Sequence, residues 1–255
     1  MSAFETTSEH GPTKKRKRSP VKIALVLVAS GIFVTFAIRF YFQVEDASRR
    51  IKSDSFLTQI GGGIHRYDSD NGRLPPQAIC DKDGKKLLSW RVAILPYIEQ
   101  DVLHARFKLD EPWDSPHNVA LIPEMPYIYA TQKDDRKKGL SSFKVFAGKN
   151  TPFEMETSSE GLRSKWSIES LSKSPRGLSN IILCIEAGDP VIWTKPEDWD
   201  YDPEQPLPDM KPIFPGYFTA ALGDGRTTSI RKGFKESTMR ASIDPNSTSK
   251  ELLDE

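Results

Sequence analysis

The chain has 255 residues, of which 37% are hydrophobic and 10% aromatic, and its formal net charge is +1. This composition predicts a folded protein, and the length allows one or two domains. The charge is segregated, because residues 1–50 hold nine Lys and Arg against four Asp and Glu, whereas the rest hold 27 against 31. A mildly acidic main domain has no electrostatic footprint for nucleic acid, so we expect no DNA or RNA partner.

The first predicted element is an apolar stretch from Val21 to Phe42, which follows five consecutive basic residues, Lys14 to Arg18. About 20 residues at a rise of 1.5 Å each span a ~30 Å hydrocarbon core. Apart from Lys22, which belongs to the basic flank, the one charge is Arg39, which lies near the other end, where its long side chain reaches the interface. A cleaved signal peptide has a shorter apolar region and an A-x-A-like site, and a buried core helix rarely follows five basic residues. The stretch therefore predicts an uncleaved transmembrane helix over residues 21–42, with the lipid bilayer as partner.

The basic residues beside this helix predict its orientation. The positive-inside rule keeps the flank that carries them in the cytoplasm. The same string could be a nuclear-localisation or nucleic-acid patch, but its place directly before a membrane segment favours topology. We expect a disordered basic cytoplasmic arm over residues 1–20, an extracytoplasmic domain over 43–243 and a disordered tail over 244–255 of a single-pass protein of the cell membrane.

Beyond the membrane segment, apolar residues recur at spacings of three and four, which predicts an amphipathic helix that continues from it. The residues are Val44, Ala47, Ile51, Leu57, Ile60, Ile64 and Tyr67, with one lapse around Asp54. Gly61, Gly62 and Gly63 near the end of this helix allow either a close approach of another backbone or a flexible joint, and close packing is favoured. Asn71-Gly72 ends the helix.

The rest of the chain predicts short elements separated by turns. Ser89 is expected to cap a short helix that carries Trp90, and a second short helix is expected from Tyr97 to Phe107. Strands are expected over residues 127–130, 142–147, 180–186 and 191–194, and a hairpin with strands 218–222 and 227–230 around a D-G turn. Residues 155–175 and 196–215 read as loops. A helix followed by short antiparallel strands predicts an α+β fold.

Four strings of the chain carry a family resemblance: F-L-T-Q-I-G-G-G-I-H-R-Y-D-S-D-N-G-R-L-P-P (56–76), L-L-S-W-R-V-A-I-L-P-Y-I-E-Q (87–100), F-K-L-D-E-P-W-D-S-P-H-N (107–118) and W-T-K-P-E-D (193–198). They resemble the large bacterial family of prepilin-like proteins catalogued as domain of unknown function 1559. The resemblance covers most of residues 45–235. It implies a pilin-like fold, in which a long N-terminal helix lies half in the membrane and half packed on an antiparallel β-sheet, and it implies no established activity.

The chain departs from that family in two places. Many members begin the apolar helix with the prepilin signature G-F-T-L-x-E, whereas here it begins Ser19-Pro20-Val21-Lys22-Ile23. The only glycine of the apolar run is Gly31, and the fifth residue after it is Phe36 rather than Glu. We therefore expect a chain that stays full length and does not polymerise into a pilus by the usual route. Many members also carry a His ten residues before the Asp of the D-G turn, and here that residue is Phe214.

The residues that could carry chemistry are scattered. Cys80 lies in a polar turn and Cys184 in an apolar strand; outside the cytoplasm a disulfide between them is permitted, and a buried free thiol at Cys184 is at least as well supported. The histidines His10, His65, His104 and His117 occur in unrelated contexts, and no metalloprotease, hydrolase or P-loop string is present. We expect no catalytic residue and no cofactor, and the protein is not expected to be an enzyme.

Two clusters suggest ligands but have simpler structural explanations. Asp110, Glu111 and Asp114 could bind Ca²⁺, yet the prolines around Trp113 favour a rigid turn with the indole in the core. Trp193, Trp199 and Tyr201 could form an aromatic platform for a ligand such as a sugar. A surface loop that its aromatic residues anchor explains the same pattern, so no metal-binding or ligand-binding residue is predicted.

The sequence thus predicts a membrane-anchored, extracytoplasmic, pilin-like protein that acts by binding or assembly, with protein partners at the cell envelope. Two alternatives remain: a tethered extracytoplasmic domain that binds a ligand or solute, and a membrane-anchored hydrolase. A concave pocket with convergent polar groups would favour the first alternative, and a nucleophile beside a base the second.

Overall fold

The computed structural model describes residues 20–159 and 161–253 and divides the chain into two compact units, Met1–Glu45 and Asp46–Glu255. The predicted cytoplasmic arm, apart from Pro20, lies outside the described residues. The first helix, α1, runs from Pro20 to Asn71. Both predicted helices, the membrane segment and its amphipathic continuation, therefore belong to one element, which ends at the residue where the Asn-Gly turn was expected.

The apolar part of α1 is the one helical segment of the described residues that is long and apolar enough to cross a membrane, by length and composition. The side chains described there are exposed, and Phe33 is the extreme case at 72%. A row of exposed aromatic and branched aliphatic side chains in water would be unfavourable, at about 25 cal/mol for each Å² of apolar surface. This N-terminal helix therefore suggests a membrane anchor.

The second part of α1 packs on an antiparallel sheet and gives the fold its α+β character. The sheet has four strands in the order β10 (Thr227–Arg231), β9 (Tyr217–Leu222), β7 (Ile182–Ile192) and β3 (Leu140–Lys144), and every neighbouring pair is antiparallel. Leu57, Ile60 and Ile64 of α1 share one hydrophobic cluster with residues of the sheet such as Leu183 and Ala221. The predicted α+β fold, with a long N-terminal helix packed on an antiparallel sheet, is confirmed.

Ten strands and five further α-helices follow α1 in the described residues. The strands are β1 (Ala78–Cys80), β2 (Lys86–Ser89), β3 (Leu140–Lys144), β4 (Phe146–Ala147), β5 (Met155–Ser158), β6 (Gly161–Ser164), β7 (Ile182–Ile192), β8 (Trp199–Asp200), β9 (Tyr217–Leu222) and β10 (Thr227–Arg231). The helices are α2 (Trp90–Ala93), α3 (Asp101–His104), α4 (Lys133–Lys138), α5 (Ile168–Ser172) and α6 (Glu236–Ile243). Three two-stranded sheets, β1-β2, β4-β8 and β5-β6, accompany the main sheet.

Two hydrophobic clusters form the core. The larger one joins α1 to β2, α2, β3 and β7, and the smaller one joins β9, β10 and α6 around residues such as Phe218 and Met239. The residues of both clusters lie between Leu57 and Ile243, so the second unit has a core of its own.

The buried face of α1 differs from the predicted one in its first turns. Ser53, Leu57, Ile60 and Ile64 form the buried line, whereas Ile51 is 70% exposed. Val44 and Ala47, which the apolar spacing also placed on the buried face, are exposed as well. Residues 53, 57, 60 and 64 are spaced by four, three and four, so they lie on one face of the helix. The break in the apolar spacing around Asp54 marks the point where the buried face no longer coincides with the apolar residues that precede it.

The glycines of α1 allow the close approach that was predicted. A Cβ on Gly63 would lie 2.7 Å from Cγ2 of Ile98, and a Cβ on Gly61 would lie 3.6 Å from Cβ of Ala221 in β9. The helix continues through all three glycines to Asn71. The interpretation as a packing site is confirmed, and a flexible joint is not what the structure contains.

Several predicted elements are correct. Ser89 caps α2 by accepting a hydrogen bond from the Arg91 amide, and the β9–β10 hairpin turns at Gly225, whose φ of +85° favours glycine. The two strands expected over 180–186 and 191–194 are a single strand, β7. Its chain passes through Gly188 at φ +73°, and the Gly188 amide bonds the carbonyl of Lys211 instead of β3.

Other predicted elements are wrong. Residues 127–130 do not form a strand, because the Tyr129 amide bonds the carbonyl of Pro126 and closes a 3₁₀ turn over Tyr127–Tyr129. The helix expected over 97–107 is broken at Glu99, which has a φ of +63°; a 3₁₀ turn precedes it and α3 follows it. The expected loop over 155–175 contains the β5–β6 hairpin and α5, which begins with a capping box at Ser167.

The end of the chain is held on the domain, whereas the sequence predicts a disordered tail. The guanidinium of Arg176 donates to the backbone carbonyls of Ser249 and Glu251, at 2.7 Å each. The side chain of Leu253 packs against the smaller hydrophobic cluster. Residues 244–253 have little regular secondary structure, but these contacts give them a defined place.

Gly62→Ala and Gly63→Ala are a matched pair that tests the close packing of α1. Both changes gain up to ~1 kcal/mol of helix propensity, but only the Cβ at residue 63 collides with Ile98. We expect Gly63→Ala to be less stable than Gly62→Ala by about 1–3 kcal/mol, the usual cost of overpacking. Chemical denaturation of the full-length protein in detergent measures the difference. Equal stability of the two variants would show that Ile98 does not restrict this face of the helix.

Candidate functional site

The described histidines lie apart and are held by structural contacts. Nε2 of His65 lies 2.9 Å from the carbonyl oxygen of Gly223, and Nε2 of His117 lies 2.8 Å from that of Arg106. Burial lowers the pKa of His104, which has no hydrogen bond to another side chain in the described part of the chain. Among residues 20–159 and 161–253, no Ser, Thr or Cys side chain hydrogen-bonds His65, His104 or His117, so none of the three forms a nucleophile–base pair there. His10 lies outside the described residues.

The acidic residues of the 107–118 string lie in a closed loop whose hub is Asn118. The buried Asn118 amide accepts from the Lys108 amide and donates to the carbonyls of Lys108, Glu111 and Pro112. Glu111 pairs with Lys108 at 2.8 Å, whereas Asp110 and Asp114 are exposed. Within the described residues, no three His, Cys, Asp or Glu side chains are grouped so that they could hold a metal ion.

Trp113 of the same loop differs from its predicted role. Its backbone amide donates to the Leu87 carbonyl at 2.9 Å, which joins the loop to β2. The indole is only half-buried, with the ammonium of Lys195 lying 5.5 Å from the ring centre. Trp90, in contrast, is completely buried. The segments around Trp90 and Trp113 both pack in the larger hydrophobic cluster, but Trp113 lies at its edge and is only partly buried.

The three aromatic residues proposed as a ligand platform are divided between the two cores. Trp193 is completely buried, stacks on Tyr129 and donates its indole N–H to the Ile122 carbonyl at 3.0 Å. Trp199 and Tyr201 pack against Phe146 in the smaller cluster. The structure does not bring the three rings together, so they do not form one platform.

Both cysteines are free thiols. Cys184 is completely buried in β7, and burial raises the pKa of its thiol well above the usual value. Cys80 is half-buried in β1, where burial also raises the thiol pKa. A buried neutral thiol is a poor nucleophile, so Cys184 acts as a small apolar core residue.

The densest polar site in the described residues is a buried ion pair between Arg91 of α2 and Asp198. Their side chains are 0% and 5% exposed, and Nη2 of Arg91 lies 3.0 Å from Oδ1 of Asp198. Arg91 also donates to the Phe143 carbonyl and, through Nη1, to Oγ of Ser89 at 2.7 Å. We name this site the buried ion-pair site.

Asp198 is satisfied from three directions. Its Oδ1 accepts the indole N–H of Trp90 at 3.2 Å and the amide of Val145 at 3.0 Å, in addition to the guanidinium. Desolvating two charges costs several kcal/mol, and only such complete hydrogen bonding offsets that cost. The Val145 amide bonds Asp198 rather than a strand, which separates β3 from β4. The site is filled by protein groups and joins elements of the fold.

The buried ion-pair site also connects two strings that carry the family resemblance. Arg91 belongs to residues 87–100 and Asp198 to residues 193–198. Sequence reasoning missed both residues, although Arg91 is a single charge inside the apolar string L-L-S-W-R-V-A-I-L. A lone charge in such a string is the signal that could have identified it, because a buried charge requires a partner elsewhere.

A second buried polar group, Glu186 of β7, contacts α1. It is 1% exposed, and both carboxylate oxygens accept hydroxyl hydrogen bonds, one from Ser53 of α1 and one from Thr131. Burial raises the pKa of this carboxyl to about 7, although the two hydroxyl groups lower it in part. Glu186 therefore places a titratable group in the interface between the helix and the sheet.

The α1 groove is the cavity with the most varied polar lining near the family strings. It has a volume of about 490 Å³ and is lined by α1 (Thr58, Gln59, Gly62, Arg66), by residues 98–100 and by residues 126–128. Nε and Nη2 of Arg66 both donate to the Tyr97 carbonyl, which orients the guanidinium. A volume of this size is within the range of small-molecule sites, and the lining contains one cation, Arg66, and one carboxylate, Glu99.

Asp198→Ala should destabilise the protein by about 3–5 kcal/mol, because it leaves the guanidinium of Arg91 buried without its partner. The control is Glu169→Ala, which breaks an exposed pair with Lys173 whose side chains are 79% and 71% exposed; an exposed pair contributes at most about 1 kcal/mol. Chemical denaturation measures both variants. A loss of less than about 1 kcal/mol for Asp198→Ala would contradict the central role of the pair.

Glu186 gives stability a pH dependence of known sign. Its folded pKa of about 7 lies above the ordinary value of 4.5, so the folded state binds more protons than the unfolded state between these values, and stability falls as the pH rises through that window. Glu186→Gln removes the titration and should be more stable than the parent at pH 8, by roughly 1–3 kcal/mol.

Stability curves of both proteins from pH 5 to pH 8 test this expectation. The difference in stability between the two proteins should shrink toward pH 5, where the carboxyl of the folded parent is protonated and therefore neutral, like the amide of the variant. Glu204→Gln, a change at an exposed residue, is the control and should leave the curve of the parent unchanged. Parallel curves for the parent and Glu186→Gln would show that Glu186 does not titrate in this window.

Comparison with known proteins gives one match. The model of a family described as "Protein of unknown function (DUF1559)" matches residues 44–165. The matched segment, a little under half of the chain, includes the second part of α1, both tryptophan segments and Arg91. Searches among curated proteins and among solved structures found no match. The family match confirms the resemblance over residues 44–165, which contain three of the four strings; the string at residues 193–198 lies outside the matched segment.

Proposed function

We propose that this protein is anchored in the cell membrane by the apolar part of α1, with its N-terminus in the cytoplasm, and presents a pilin-like domain outside the cytoplasm. In this proposal the domain acts by binding or assembly at the cell envelope and not by catalysis. The observation that carries the proposal is the division of one 52-residue helix. Its apolar part leaves its described side chains exposed, and its later part builds the core of a domain.

The charge pattern supports the orientation. Lys14 to Arg18 and Lys22 lie on the N-terminal flank of the apolar part, and the positive-inside rule assigns that flank to the cytoplasm. The family match and the apolar N-terminal helix together fit a membrane-anchored pilin-like protein.

The polar sites of the domain support a binding or assembly role. The domain buries charged side chains that are hydrogen-bonded to other protein groups, among them Arg91, Asp198 and Glu186. Catalytic groups must reach a substrate in a plausible pose, and these groups instead connect the elements of the fold.

The head of α1 supports a chain that is not processed as a prepilin. Processing requires a glycine at the start of the apolar helix, and polymerisation uses a glutamate five residues beyond it. Gly31 lies inside the apolar run and Phe36 occupies the fifth position. The glutamate carboxylate that would set the register of stacked helices is therefore missing from this run.

One experiment tests orientation and processing together. Protease is added to intact spheroplasts that contain the full-length protein, and the protected fragment is identified by mass. We expect the domain to be digested and a fragment with the basic arm and residues 21–42 to survive. Spheroplasts opened with detergent are the control and should protect nothing. Survival of the C-terminal domain would overturn the orientation, and a fragment that begins inside residues 21–42 would overturn the absence of processing.

A tethered ligand-binding domain is the second candidate function, and the α1 groove is the observation that favours it. The groove combines Arg66 with the side-chain amides of Gln59 and Gln100 and the apolar side chains of Ile98 and Ile128. A mixture of a few polar groups with apolar walls is typical of small-molecule sites. Both functions require the same anchor, and they differ in whether the domain's partner is a protein or a small molecule.

A further inference from the structure

A basic surface lies at the end of β10 and in the turn that follows it. We define it by Arg231, Lys232 and Lys235, whose side chains are all exposed. The backbone of this turn is fixed, because the Lys232 amide donates to the Gly216 carbonyl at 2.8 Å and the Phe234 amide donates to the Arg231 carbonyl at 3.3 Å. Three cations are thus presented on an ordered turn.

Little of this charge is neutralised by the described part of the protein. Arg231 and Lys232 form no ion pair with any described residue, and Lys235 lies 3.7 Å from one carboxylate oxygen of Glu251. A cavity of about 650 Å³ opens beside the cations, and the apolar side chains of Phe234, Leu252 and Leu253 contribute to its lining. Cations beside an open apolar lining match the chemistry of a phosphate headgroup and its attached chain.

The basic surface is tied to the part of the chain that leaves the membrane. Arg50 of α1 donates to Oγ of Ser229 in β10 at 3.3 Å, and its guanidinium lies 4.8 Å from the ring centre of Tyr217, the residue paired with Arg231. Arg50 follows Phe42 by eight residues, a length that even a fully extended chain covers in about 28 Å. The length of this segment therefore limits how far Arg50, and Ser229 that it contacts, can lie from the last residue of the apolar part of α1.

We propose that the basic surface of Arg231, Lys232 and Lys235 binds the anionic phospholipid headgroups of the membrane in which the protein is anchored. Charge complementarity selects this partner: each cation close to an anionic membrane surface strengthens binding by about fivefold. The attraction decays over a Debye length of about 8 Å at physiological salt, so the cations must lie at the headgroups, a distance that the short segment between Phe42 and Arg50 allows. Leu252, which is 41% exposed and lines the cavity beside the cations, adds to binding at the interface.

The inference rests on the membrane anchor of the proposed function but not on its orientation. The test uses the full-length protein in nanodiscs made either of phosphatidylcholine alone or of phosphatidylcholine with a third of phosphatidylglycerol. Recovery of the protein in both kinds of disc reports the anchor by itself. Hydrogen exchange of the backbone amides of residues 231–237 then reports docking of the basic surface.

We expect these amides to exchange about tenfold more slowly in the anionic discs than in the neutral discs, and we expect 0.5 M NaCl to abolish the difference. Arg231→Gln/Lys232→Gln/Lys235→Gln should lose the protection. Its matched control, Arg136→Gln/Lys137→Gln/Lys138→Gln, removes the same charge from exposed residues of α4 and should keep it.

Three results would overturn the proposal. Equal exchange of the wild-type protein in both discs would show that the surface does not dock, whatever the variants do. Equal protection in neutral discs containing soluble inorganic phosphate would indicate an ion site in place of a membrane surface. Equal loss of protection in both triple variants would indicate that net charge alone determines the effect. If the protein is not recovered in the discs at all, the anchor itself is wrong.

Discussion

The constraint on which most of this domain depends is the burial of two opposite charges, Arg91 and Asp198. Removing them from water is so costly that every donor and acceptor around them must be satisfied. The guanidinium requires the Ser89 hydroxyl and the Phe143 carbonyl, and the carboxylate requires the Trp90 indole and the Val145 amide. These requirements fix the end of β2, the start of α2, the end of β3 and the segment around residue 198 relative to one another. A single site therefore aligns three stretches that are far apart in the sequence: residues 89–91, residues 143–145 and the segment around residue 198.

Glu186 applies the same physics to the interface between helix and sheet. The interior side of α1 is apolar at Leu57, Ile60 and Ile64, where shape alone determines packing, and it becomes polar at Ser53. There the hydroxyl must meet the Glu186 carboxylate, so a helix that slid by one turn along the sheet would leave a buried polar group without a partner. Glu186 thus fixes the position of α1 along the sheet, in an interface whose other contacts are made by apolar side chains and glycines.

The sequence predicts well those elements whose signal is local. The length of α1, its end at Asn71, the Ser89 cap and the β9–β10 hairpin follow from periodicity, capping and turn residues within a few positions. Elements fixed by distant partners were predicted poorly. Tyr127–Tyr129 has the composition of a strand but pairs with no strand in the described residues, and Asp198 divides β3 from β4 by bonding the amide of Val145. Local propensity does not contain either fact.

The candidate sites show the same limit from the chemical side. Residue types that are often functional, such as His, clustered Asp and Trp, suggest sites in the sequence, but in the structure they make structural contacts or lie apart from one another. Arg91 and Glu186 give no such signal, because each is a single charge inside an apolar string. In a folded chain such single charges are the residues with the most specific surroundings, since a charge in an apolar string must find a partner or change its protonation.

The first turns of α1 after its apolar part do not follow hydrophobic periodicity. The method assumes that apolar residues face the core and polar residues face water. Between Val44 and Ser53 the reverse holds: Ile51 points outward, whereas Arg50 contacts the β9–β10 hairpin and Ser53 is buried against Glu186. For a helix that enters a lipid bilayer, the outward side close to the entry point is not surrounded by bulk water alone, so an apolar residue there is less costly than on a soluble domain. Val44, Ala47 and Ile51 therefore lie on the exterior of the helix, and the buried face begins at Ser53.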